Sequence, residues 1–263
     1  MRRILISIDG SPSNRDSLRG ALALCEQTGA SLTVVYPRHD ARGAAILGEV
    51  MVMLDGAQHP QAQAPAVFEE ICGRLPQARF LTYEATGADL LATLGHAYDL
   101  LLIERMSREA GPEADLLNAA LFETGRPVLL LPPLPRATPI LRPVLAWNGS
   151  PLSARAISSA LPLLRPAARA VVLIGTGVGK LSPEPLLEYL ASHGIAGEVR
   201  SYDSHRLTAR GRGRALLAAA VASEADLLVA GAFGETAAGS IRGLGRATRK
   251  LATAAPMPVL LQN

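Results

Sequence analysis

The chain has 263 residues, of which 49% are hydrophobic, 19% charged and 4% aromatic, with a net charge of +3. That balance excludes a disordered chain, and the length suits one large domain or two ordinary ones. No apolar run reaches the length of a bilayer span, so no membrane association is expected.

The opening MRRILISIDG has two arginines but meets Asp9 too soon for a secretory signal. Cys25 and Cys72 form neither a CxxC pair nor a dense framework, which fits buried thiols in a reducing cytosol. A cytoplasmic location is therefore expected. The five histidines are scattered, with no i, i+4 pair to hold a metal.

In chain order, Ile4 to Ile8 reads as a strand, closed by Asp9-Gly10-Ser11-Pro12-Ser13, a turn and helix cap. Leu18, Ala21, Leu22 and Cys25 give residues 14–27 helical spacing, ended by Gly29. Residues 31–36 form a strand stopped by Pro37, and 38–65 are irregular, with a short helix allowed at 46–54. A helix over 66–75, a strand over 78–85 and a helix over 88–97 follow. Strands at 100–103 and 127–131 complete the first half. Strands alternating with helices predict a parallel sheet covered on both faces.

The pattern then returns. IDGSPSNRDSLRGALAL, from Ile8, recurs as WNGSPLSARAISSALPL, from Trp147. Asp99-Leu100-Leu101 recurs as Asp226-Leu227-Leu228, and Pro127-Val128-Leu129-Leu130 as Pro258-Val259-Leu260-Leu261. The connector from Pro132 to Pro143 holds five prolines, as a stiff linker does. Two similar units are expected, over 1–137 and 138–263, each with five parallel strands and about four helices. The apolar last strand of each would stand at a sheet edge, so these strands are expected to pair as an intramolecular pseudo-dimer. A homodimer is left open.

The last segment, DLLVAGAFGETAAGSIRGLGRATRKLATAAPMPVLLQN, reads strand, glycine turn, helix, strand. Glycine past a strand lets a ligand approach the backbone, and the next helix aims free N–H groups at the same place, which suits phosphate. A turn between a buried strand and a helix is also glycine-rich without any ligand. Arg206, Arg210, Arg212, Arg214, Arg242, Arg246, Arg249 and Lys250 crowd this quarter. A solvated helix face explains most such runs, though here the glycines favour a phosphate-bearing ligand. No aromatics are interleaved with the cations, so nucleic acid is not expected.

Strand–DGS–helix, then DLLVAG-x-x-G, a glycine-rich loop, a helix and P-x-PVLL resembles the universal stress protein family, here as a tandem pair covering nearly the whole chain. The resemblance implies two Rossmann-like domains of the adenine nucleotide alpha hydrolase-like kind. Each would have a five-stranded parallel sheet of order 3-2-1-4-5 with helices on both faces. It also implies stress-response function and, in many members, ATP bound with Mg. Such an order makes strands 1 and 4 neighbours at the topological switch point. The family's motif is G-x-x-G-x9-G-[S/T] after strand 4, completed by an Asp after strand 1.

The chain departs from that motif differently in each half. In the second, Gly231 and Gly234 match, but Leu244 replaces the third glycine and Gly245 takes the Ser/Thr place. Gly243 or Gly245 can serve as third glycine if the loop slips by one residue. Leu244 in register would put a side chain where phosphate sits. Asn148 replaces the strand-1 acid. In the first half Asp9 is retained, but Glu104 stands where Gly231 does. Glu104 to Pro127 spans 23 positions against 27 from Gly231 to Pro258, so the loop is short. A carboxylate there repels phosphate, so the first half is expected to have lost nucleotide binding. The nucleotide-binding set is then Asn148, Thr176, Gly231, Gly234, Gly243, Gly245 and Arg246, for ATP or another adenine nucleotide bound weakly.

Residues 175–180 resemble part of a P-loop, but Ile174 stands where its first glycine belongs and Leu181 where a hydroxyl should bind magnesium. Thr176 or Lys180 instead lies at the strand edge beside the second crevice. No nucleophile elbow, H-E-x-x-H or paired carboxylate points to an enzyme. Asp203 and His205 are the nearest acid–His neighbours. Three functions follow: a stress-responsive nucleotide binder with one working site, a nucleotide-free scaffold, and a slow ATP hydrolase or autophosphorylating protein with Ser240 or Thr248 as acceptor.

Overall fold

The computed structural model describes residues 1–37, 60–133, 139–176, 182–232 and 244–263. Five strands form from the first set of apolar runs: β1 (Arg3–Ser7), β2 (Ser31–Pro37), β3 (Ala78–Tyr83), β4 (Leu100–Glu104) and β5 (Val128–Leu131). The second set gives β6 (Pro143–Trp147), β7 (Arg169–Gly175), β8 (Ala196–Tyr202), β9 (Leu227–Gly231) and β10 (Val259–Gln262). The helices of the first half are α1 (Asn14–Thr28), α2 (Pro60–Cys72), α3 (Gly87–Leu94) and α4 (Pro112–Glu123). Those of the second are α5 (Pro151–Leu164), α6 (Glu184–Ser192), α7 (Ala209–Ala222) and α8 (Arg246–Ala254).

All ten strands join one sheet of order β3-β2-β1-β4-β5-β10-β9-β6-β7-β8. Pairing is parallel within each run of five and antiparallel only at the seam, where Leu129 faces Leu260 and Val128 faces Leu261. Each run has the order 3-2-1-4-5. Because the seam is antiparallel, the carboxyl ends of the two runs point to opposite edges of the sheet.

Strand side chains alternate between faces, and here both faces are buried. Ile4, Ile6, Leu100, Leu102, Leu129, Leu227, Val229 and Leu260 pack on one face with α1 and α5 residues such as Leu18, Ala156 and Leu163. Leu5, Leu101, Ile103, Val128, Leu130, Leu228, Val259 and Leu261 pack on the other with Leu117, Leu217 and Leu251 of α4, α7 and α8. Each core layer therefore runs unbroken across the seam. The outer strands β3 and β8 are largely exposed, and charged pairs such as Arg200 Nε–Glu198 (2.7 Å) blunt the β8 edge.

Several boundaries differ from the sequence reading. α2 begins at Pro60 and continues through Pro65, because a proline inside a helix forfeits one hydrogen bond rather than the whole helix. α4 was not placed from sequence. It starts after Gly111, whose φ of 101° favours glycine. The helix expected over 46–54 lies outside the described residues. Cys25 and Cys72 are buried free thiols, pushed up to about 12 and about 11 by desolvation.

The repeated Asp-Leu-Leu has a structural meaning. Asp99 Oδ2 accepts the backbone N–H of Arg2 (2.6 Å) and Arg3 (3.1 Å), tying the start of β4 to the start of β1. Asp226 does the same for the N–H groups of Leu141 (2.7 Å) and Arg142. The Arg2 N–H is the main reason the Asp99 carboxyl sits below its ordinary range. A depressed folded pKa stabilises above the unfolded value of about 3.9, and that contribution is lost as pH falls through the folded value. D99N should therefore be less stable than the native chain at pH 7, with the gap closing below about pH 4. Denaturant titrations across pH check this, and a gap independent of pH would contradict it.

Candidate functional site

Each run of five strands places the ends of its first and fourth strands side by side, the place where doubly wound folds bind ligands. In the first half a crevice lies past β1, β2 and β4 and is bordered by the starts of α1, α3 and α4, with a volume of about 440 Å³. Glu104, the last residue of β4, points at the first turn of α1. Its Oε2 accepts Ser13 Oγ (2.7 Å), and its Oε1 accepts Asn14 Nδ2 (2.7 Å) and Ser17 Oγ (2.8 Å). A carboxylate of the protein itself thus takes the hydrogen bonds an anionic ligand would seek there.

The second half solves the same contact without a side chain. A Cβ on Gly231 would lie 2.8 Å from Leu152 C and 2.8 Å from Ser153 N, so the first turn of α5 packs directly on this glycine. Aligning the repeats sets Ser13, Asn14 and Ser17 against Leu152, Ser153 and Ala156. The three donors meet Glu104 in the half that has it. The half with Gly231 has Leu152 and Ala156 in place of two of them. Gly231, read from sequence as open backbone for phosphate, also packs against this helix, which takes the space a Cβ would need.

The other sequence-predicted residues fall as follows. Asn148 Oδ1 accepts the Ser150 N–H (3.1 Å), as Asp9 Oδ1 accepts that of Ser11 (2.8 Å), so both close the turn that starts a helix. Thr176 Oγ1 donates to Asp203 Oδ1 (3.1 Å) and accepts the Ser204 N–H (3.0 Å), binding the ends of β7 and β8 together. Asp203 Oδ1 also accepts the backbone N–H of His205 (3.1 Å), and no bond between the two side chains forms. Gly245 is the N-cap of α8 and Arg246 its exposed first residue. Leu244 is 3% exposed and packs in the core, because its apolar side chain gains more there. Gly234, Gly243, Arg242, Lys180 and Ser240 lie outside the described residues.

The fourth helix of each half follows its fourth strand, and the two helix starts differ in charge. α4 opens with Glu113 and Asp115 in its first turn. α8 has no acid in its first turn, begins Arg246-Ala247-Thr248-Arg249, and gets no side-chain bond from its cap. Backbone N–H groups beside guanidinium suit an anion, and the same groups beside carboxylates repel one.

Sequence reasoning missed a clamp between the halves. Arg105 Nη1 donates to Thr253 O (2.5 Å) at the carboxyl end of α8, where a cation is favoured, and Met106 N–H donates to Ala252 O (3.0 Å). Glu109 pairs with Arg210 of α7 at 2.7 Å. The short loop after β4 was the available signal: it has too few residues to cradle phosphate and docks on the partner half instead.

These features define a class: two doubly wound α/β units fused through their fifth strands, each with its first and fourth strands side by side at a switch point. No family model matches the sequence, and no curated protein matches it. Solved structures with a similar fold include a universal stress protein from Archaeoglobus fulgidus DSM 4304, at TM-score 0.68 and 16% identity over 99% of this chain and 98% of that one. A putative universal stress protein from Pseudomonas aeruginosa UCBPP-PA14 is similar at TM-score 0.62 and 14% identity, over 100% and 93%. A functionally unknown protein from Pseudomonas aeruginosa PAO1 is similar at TM-score 0.57 and 16% identity, over 100% and 92%. The chain has the tandem fold of universal stress proteins. Among the described residues no helix is long and apolar enough to cross a membrane.

Proposed function

We propose that the protein is a cytosolic stress-response protein of the tandem universal stress type, in which the second half alone binds an adenine nucleotide, and weakly. The observation that carries this reading is the contrast between the two helix starts: acidic at α4, basic at α8. ATP with Mg fits the residues of the second half in part. The first turn of α8 and Arg246 would hold phosphate, while Asn148 supplies a neutral acceptor in place of a carboxylate. A charged acceptor is worth about 1.5–3 kcal/mol against roughly 1 for a neutral one, so that exchange weakens a nucleotide contact about tenfold. ATP does not fit the first half, where Glu104 holds the α1 donors.

A nucleotide-free scaffold is favoured by one specific observation, the use of Gly231 for helix packing. Thr248 is disfavoured as an autophosphorylation acceptor, being 3% exposed within α8.

Arg246→Glu should reduce Mg-ATP binding at least tenfold in equilibrium dialysis at low salt, since it replaces attraction at the helix start by repulsion. Asp9→Ala should leave binding unchanged. Equal losses from both would show that both halves bind nucleotide.

A further inference from the structure

We propose that the seam between the two halves carries a binding site of its own, for the phosphate group of a small organic ester. The inference goes beyond the nucleotide reading and does not depend on it.

A cavity of about 420 Å³ opens where β10 ends and β5 begins, an ordinary volume for a small-molecule site. Both halves line it. α5 supplies Arg155 and Ser158, the turn before β5 supplies Arg126, and β10 supplies Gln262. Among the described residues the charged side chains of the wall are Arg126, Arg155 and Asp99, and their chain neighbours bring no further acid. Asp99 has its Oδ2 committed to the N–H groups of Arg2 and Arg3. Arg126 donates Nε and Nη2 to the His96 carbonyl and keeps Nη1. Arg155 is exposed and has no ion-pair partner among the described residues. Two guanidinium groups thus stand against one carboxylate that is already held.

A second, independent observation is Gln262. It is 5% exposed, yet its amide is poorly served. Nε2 reaches Gly125 O at 3.5 Å and Asn263 O at 3.2 Å, while Oε1 accepts Ser159 Oγ at 3.3 Å. These bonds are long, and a buried amide is costly unless it is well paired.

The related groove across the pseudo-twofold shows what packing alone needs. There the positions of Ser159, Gln262 and Arg126 hold Gly20, Leu131 and Met257. Leu131 packs on Gly20, where a Cβ would lie 3.5 Å from its Cδ1, and Ile140 of the connector is buried beside them. The duplicated fold is therefore built with apolar groups at these places. A hydroxyl, an amide and a guanidinium in their stead answer to a polar ligand.

Donors from two walls suit a tetrahedral dianion, whose oxygens accept from several directions. A planar carboxylate is satisfied by one guanidinium fork. Pro127 and Pro162 add rigid apolar wall for the body of the ester.

Calorimetry of the full chain at low salt tests this with glycerol 3-phosphate, inorganic phosphate and succinate. Glycerol 3-phosphate should bind, more weakly as salt rises, and more tightly than either of the others. R155A should weaken its binding roughly three- to tenfold, the worth of one exposed charged contact, without altering the unfolding midpoint. R165A removes another exposed arginine, at the end of α5 and outside the cavity wall, and should leave binding unchanged. No binding of glycerol 3-phosphate, or an R155A loss no larger than that of R165A, would overturn the inference. Inorganic phosphate binding as tightly as the ester would overturn the organic body, and succinate binding as tightly would overturn the choice of phosphate. Mg-ATP binding that is lost in R155A and kept in R246E would instead overturn the assignment of nucleotide contacts to Arg246, so the two failures are distinguishable.

Discussion

Leu260→Asp should leave little or no folded protein at 25 °C. Leu260 is fully buried at the seam, paired with Leu129 on one side and Val229 on the other, within the core layer that runs across both halves. A carboxylate there has no partner among these apolar neighbours, and burying such a group costs more than about 4–5 kcal/mol. Domains of this kind have about 5–15 kcal/mol in total. Val221→Asp is the control: Val221 is 51% exposed on α7, and the change should fall within about 0.5 kcal/mol. Circular dichroism of the two variants decides the matter. Native signal and midpoint in Leu260→Asp would mean the seam does not hold the halves together.

Gly231→Ala should lower the unfolding midpoint by several degrees although it adds only a methyl group. The Cβ would meet main-chain atoms of Leu152 and Ser153 at 2.8 Å, and backbone in the first turn of a helix cannot step aside as a side-chain tip can. Overpacking of this sort costs about 1–3 kcal/mol. At about 2–4 °C for each kcal/mol, thermal melts resolve it. The mirrored change, Glu104→Ala, should also destabilise, for the opposite reason: it strands Ser13, Asn14 and Ser17 without their acceptor. A Gly231→Ala melt indistinguishable from the native one would return the glycine to its reading as open backbone.

The fold was legible because buried parallel strands are written locally. Ile4 to Ile8 and Leu227 to Ala230 are short apolar runs closed by turn residues, and the repeats fixed their order. The pairing of β5 with β10 followed from their apolar character at an otherwise open edge. α4 was harder to see, since its start depends on the positive φ of Gly111 rather than on periodicity. The candidate site was legible only in part. Glu104 stood out against Gly231, but what replaces phosphate there is three donors 87 to 91 positions away in the chain. Setting the two copies of the DGS helix side by side would have shown those donors to differ between the halves. Nothing local marks Gly231 as a contact of α5, because the atoms it meets lie 78 to 79 positions earlier. The burial of Leu244 was not legible for a related reason: a place in a motif says where the backbone runs, not into which layer the side chain turns.

The claim that nucleotide belongs to one half is tested most directly by titration calorimetry of the full chain with Mg-ATP at low and at high salt. The account predicts one nucleotide per chain, bound weakly at low salt and lost at high salt, because guanidinium and helix-start contacts carry it. Two nucleotides per chain, or tight binding indifferent to salt, would contradict it.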